Sequence, residues 1–140
     1  MKRVALEASL LCLFAAGFAP TQAAPTKSNG ATAQLLGEWR GRSLCVTTTR
    51  PACTDETVVY RIRKDAAKTG DFLIDANKIV DGKELAMGEL SCSFETTRQQ
   101  LICPAGNGQW QFRWDGKQLV GGLLEDGGAF RFVHLTKQLP

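Results

Sequence analysis

Four short glycine-containing turn signals set what this chain can fold into: Asp81-Gly82, Asn107-Gly108, Asp115-Gly116 and Asp126-Gly127-Gly128. Glycine, Asn and Asp tolerate the positive φ that two-residue hairpins need, so each signal joins flanking segments as antiparallel neighbours. The flanks alternate as strands do. In Gln109–Asp115, Trp110, Phe112 and Trp114 fall on one face and polar groups on the other. Val58, Tyr60 and Ile62 alternate with Val59, Arg61 and Arg63. Phe130, Phe132 and His134 oppose Arg131, Val133 and Leu135.

Eight strands are predicted, at about 35–46, 57–63, 71–76, 84–94, 99–103, 109–114, 118–124 and 129–136. No segment sustains a helical period, and Lys64 to Lys68 makes at most one turn. Eight antiparallel strands in sequence order either close on themselves or leave two sticky edges, and closure is the expectation. The predicted fold is all-β, an eight-stranded up-and-down barrel over residues 35–140.

Before the barrel, Lys2 and Arg3 precede an apolar run from Ala8 to Ala19 and a polar stretch ending in Thr21-Gln22-Ala23. That layout predicts a cleavable signal peptide, residues 1–23. The apolar run spans about 18 Å as a helix, short of the ~30 Å hydrocarbon core. Cys12 inside the run lacks the residues that precede a lipidated cysteine. Residues 24–34, rich in Pro, Thr, Ser, Asn, Gly and Ala, are expected to form a flexible tail. The protein is expected to be secreted or periplasmic. Cleavage lowers the net charge from +3 to +2, which speaks against a nucleic-acid surface.

Four cysteines remain for an oxidising compartment. Cys45 and Cys53 flank Arg50-Pro51, and Cys92 and Cys103 lie almost symmetrically about Thr97-Arg98, a predicted hairpin tip. Geometry favours the pairing 45–53 with 92–103 among three connectivities. Neither spacing is Cys-x-x-Cys, and His134 is the single histidine, so no metal site is read.

Ser43, Ser91 and Ser93 lack a Gly-x-Ser-x-Gly setting, and His134 reads as a packing residue. Asp55 and Glu56, adjacent on a strand, point to opposite faces. No phosphate loop or dinucleotide fingerprint occurs. Neither an enzyme nor a cofactor is expected.

Gly37-Glu38-Trp39 opening the first strand resembles the Gly-x-Trp signature of the calycins, the group of lipocalins, avidins and fatty-acid-binding proteins. The resemblance implies a tryptophan closing one end of the barrel with an arginine from the last strand over its ring, a part that Arg131 would take. A second likeness covers Trp39-Arg-Gly41-Arg-Ser43-Leu-Cys45, Pro51-Ala-Cys53-Thr-Asp55-Glu56 and Val58-Val59-Tyr60. It is similar to a set of small exported bacterial proteins with a cysteine-bracketed loop, and transfers no functional site. The chain is shorter than typical lipocalins and lacks their C-terminal helix.

The function expected is that of an exported, non-enzymatic binding protein. An apolar or amphipathic ligand would sit in or at the mouth of the barrel against Tyr60, Trp110, Phe112, Trp114 and Phe130. The same rings can instead fill the interior, since an eight-stranded barrel is narrow enough for side chains to occupy. The alternative is a module that binds or inhibits a protein, such as a periplasmic hydrolase, through Thr47–Asp55, held by Cys45–Cys53. No nucleic acid and no membrane span are expected among its partners.

Overall fold

A computed structural model describes residues 28–47, 50–69, 71–126 and 128–139. The predicted signal peptide, and residues 24–27 of the predicted tail, lie outside the described residues. A helix α1 (Ser28–Leu35) precedes eight strands: β1 (Gly37–Cys45), β2 (Glu56–Lys64), β3 (Asp71–Val80), β4 (Lys83–Glu95), β5 (Gln100–Ala105), β6 (Gly108–Trp114), β7 (Gln118–Glu125) and β8 (Gly128–Lys137). Each pairs antiparallel with the next, and β8 returns to β1 to close the barrel. The closing ladder runs from Trp39 opposite Lys137 to Cys45 opposite Arg131.

The turn signals act much as read. Asp81 and Gly82, both at positive φ (51° and 77°), join β3 to β4. The β5–β6 turn is one residue earlier than expected: Gly106, at φ 57°, and Asn107 form it, and Gly108 already belongs to β6. β1 and β8 approach so closely that a Cβ on Gly41 would lie 1.9 Å from the His134 carbonyl oxygen. Only a glycine fits there.

Alternation sends one side chain in two to the interior. Trp39, Val58, Tyr60, Ile62, Phe72, Ile74, Leu101, Phe112, Leu119 and Leu135 all belong to one buried cluster. Residues 28–34 correct the sequence reading: they are helical rather than a tail. α1 delivers Leu35 into the core at 1% exposure, and the Trp39 indole N–H donates to the Leu35 carbonyl at 2.8 Å. That end of the barrel is therefore capped. A polar, glycine-containing segment gave no periodicity from which to read this helix.

Cys45–Cys53 and Cys92–Cys103 are bonded, with Cα separations of 5.8 and 4.2 Å. The second pair bridges the shortest ladder of the ring, where β4 and β5 share only the pairs Ser93–Ile102, Phe94–Leu101 and Glu95–Gln100. From Lys83 to Cys92, β4 pairs with β3 alone. The β3–β4 register shifts between Ala76 and Asn77. Beyond that bulge the hairpin bends back over the outer face, because Glu84 of β4 reaches Arg61 of β2 at 2.7 Å and Arg40 of β1 at 3.3 Å. Bulges bend strands in this way. Beneath Glu84, Val59 points outward yet is fully buried, and it lies outside the interior cluster.

Candidate functional site

The five predicted ligand residues do not form one site. Tyr60, Trp110 and Phe112 meet inside the ring: the Trp110 and Phe112 rings stack at 5.4 Å, and Tyr60 meets Phe112 edge-on at 6.0 Å. Trp114 is half-buried at the edge of the core. Phe130 stands apart at the loop end, under the Arg50 guanidinium at 4.5 Å. Phe112, Phe72, Ile74, Leu101, Leu119 and Leu135 have no exposure at all, so no water-sized void touches them. Rings and aliphatics fill this interior as they fill a core. Of hollows of about 490, 230, 540 and 350 Å³, none is lined by Tyr60, Trp110 or Phe112, while Phe130 lines the 230 Å³ one and Trp114, with Trp39, the 350 Å³ one.

The barrel-closure assignment is corrected for one residue. Trp39 closes an end, as the Gly-x-Trp likeness implied, but the cation over its ring is Lys137, at 5.7 Å. Register explains the difference: Lys137 is the residue opposite Trp39 on β8, whereas Arg131 is opposite Cys45 at the far end. Lys137 also donates to the Gln34 carbonyl at 2.6 Å, tying β8 to α1.

Arg131 instead organises the disulfide-bracketed loop. Its Nε donates to Ser43 Oγ at 2.9 Å, and its Nη2 reaches the carbonyls of Thr54 (2.8 Å) and Ser43 (3.2 Å) and the Glu56 carboxylate (3.1 Å). Lys78, on the inward face of β3 with Phe72, Ile74 and Ala76, pairs with the other Glu56 oxygen at 3.1 Å. Asp55 points the opposite way, as alternation required, and accepts from the Cys45 N–H at 2.9 Å. Burial pushes the Tyr60 hydroxyl well above its ordinary value, with nearby Glu56 adding to the rise against Arg131. A phenol held neutral in this way is no base at ordinary pH.

The two ends of the loop are thus held by a disulfide, a guanidinium fork and the Asp55 carboxylate. Among its described residues, Arg50, Pro51 and Ala52 are exposed. Arg50 Nη2 lies 2.7 Å from a buried Glu125 oxygen, at an angle that makes no hydrogen bond, so charge alone holds that oxygen. His134 is not packed among rings as the sequence suggested: it is exposed on the outer face, 2.6 Å from Gln118 Oε1. Among the described residues no group of three or more His, Cys, Asp or Glu is placed to hold a metal, and no helix is long and apolar enough to cross a membrane. Sequence reasoning missed Lys137, Glu56 and Lys78. Lys137 was recoverable by counting register from the β1–β8 closure, and Lys78 by carrying the alternation of Phe72, Ile74 and Ala76 two residues past the expected end of β3.

Fold and site together define a capped, closed up-and-down β-barrel with one stapled loop. The sequence matches no protein-family profile and no curated protein. Among solved structures, the chain is similar to zebrafish ileal bile acid-binding protein complexed with cholic acid. That match has 16% identity, covers 75% of this chain and 98% of the other, and has a TM-score of 0.40.

Proposed function

We propose that this is an exported, non-enzymatic binding module that recognises a protein through the Cys45–Cys53 loop. The observation that carries the reading is a filled interior next to a loop whose two ends are held by Cys45–Cys53 and Arg131. Large rings occupy the space a guest would need inside the barrel. The loop meets a partner without losing much conformational freedom, since Cys45–Cys53 and Arg131 already hold it. Export is supported by the layout of residues 1–23 and by two disulfides, which persist in oxidising compartments.

The test is capture of a partner from a periplasmic or secreted fraction by the folded protein and by Ala52→Arg. Ala52 is exposed, so the variant keeps its thermal midpoint while adding bulk at the loop tip. Loss of the captured band with Ala52→Arg supports the reading. Equal capture by both proteins overturns it.

A further inference from the structure

We infer that the outer face of β5–β8 carries a second recognition site, a hollow over Gly122 that takes an apolar side chain adjoining a carboxylate on the protein partner. The inference rests on the reading that the partner is a protein, and adds the chemistry of a surface the loop does not include.

The hollow follows from the ladder. Gly122 faces outward between Phe132 on β8 and Gln111 on β6, its register partners. Two residues away along β7, Val120 and Leu124 face the same way. A residue without a side chain surrounded by four with large ones leaves a depression, here about 490 Å³. A Cβ at position 122 would already lie 3.1 Å from the Phe132 ring. Its walls are apolar: Phe132 is 49% exposed, a large ring held open to water. Leu44, opposite Phe132 on β1, is 40% exposed, and Val46 beyond it 39%, so the apolar strip continues to the Cys45–Cys53 loop. Exposed apolar side chains running on from the hollow and rimmed by polar groups mark a protein-interaction surface.

Charge selects the partner's sign. Arg113 lines the hollow beside Val120 and is exposed, with no ion pair or hydrogen bond among the described residues. No carboxylate lines the hollow; Gln111 lies at its rim, and Gln100 there donates to Glu95 at 2.9 Å. An unpaired guanidinium beside an apolar depression fits an apolar side chain next to Asp or Glu, with the fork donating two hydrogen bonds to the carboxylate.

The probe is a capped Gly-Phe-Asp-Gly peptide, titrated into the ¹⁵N-labelled folded chain and followed by amide shifts. Shifts gathering at Arg113, Val120, Gly122 and Phe132 are expected. Affinity falls about fivefold with Arg113→Gln, and by a similar factor when the peptide carries Asn for Asp. Phe132→Ala, a second exposed variant, weakens both peptides. Shifts elsewhere, no shifts at millimolar peptide, or equal binding of Asp and Asn peptides would overturn the site. Ala52→Arg leaves peptide binding intact, so a failed loop and a failed hollow give different results.

Discussion

Arg131 and Gly41 show how much of this barrel rests on single residues. Arg131 donates to two carbonyls and a hydroxyl and pairs with a carboxylate. Replacing it with Ala leaves the Glu56 charge held by Lys78 alone, at a cost of about 3 kcal/mol in urea denaturation. Arg131→Lys recovers only part of that, because an ammonium lacks the planar fork. Gly41→Ala drives a methyl into the His134 carbonyl and costs about 3 kcal/mol by the same measurement, the overpacking penalty at a site where only backbone can yield. A cost under about 0.5 kcal/mol for either Ala variant would contradict the contacts described.

At the scale of elements, the β3–β4 hairpin depends on charge. The hydrogen bond from Arg61 holds the Glu84 carboxyl below the usual carboxylate range, and Arg40 does the same for Glu38. A folded-state value below the unfolded one means stability that is full above the unfolded value, about 4.3, and is lost as pH falls through the folded values. Wild-type stability in urea should therefore decline on acidification below about pH 4.3, and Glu84→Gln should decline less steeply. Identical slopes would mean that the hairpin is held by Val59 and the bulge alone. The strands themselves were legible because alternation and Asx-Gly turns are local signals. β3 and β4 run past their predicted ends, as bent hairpin arms with little inward patterning, and that bend is set by a bulge at Met87 whose one local mark is its neighbour Gly88, at φ 133°. α1 was illegible for a related reason: it is fixed by Leu35 entering the core and by the Trp39 indole, both tertiary events.

For the whole molecule, closure of the ring and both cysteine pairings were readable, since hairpin order forces neighbours and the cysteines flank predicted turns. The use of the interior was not readable, because alternation says which rings point inward and not how much space they leave. Each loop closed by a cystine contributes roughly 2.5–3 kcal/mol in the chain-entropy model. Losing Cys92–Cys103 costs more than losing Cys45–Cys53, as both of its sulfurs sit in the core. Serine at both positions of each pair, compared by thermal unfolding, tests the order. Intact mass of the unreduced protein should fall four protons below the reduced form.

The three-rung seam between β4 and β5 makes closure a chemical event as much as a conformational one. Where thiols stay reduced, the cheapest way to open the cylinder is to unzip those rungs, leaving a curved ribbon with two bare margins able to recruit other chains. Oxidation rivets the ribbon shut. Any setting in which this chain accumulates must therefore supply an electron acceptor for its cysteines before neighbouring copies meet.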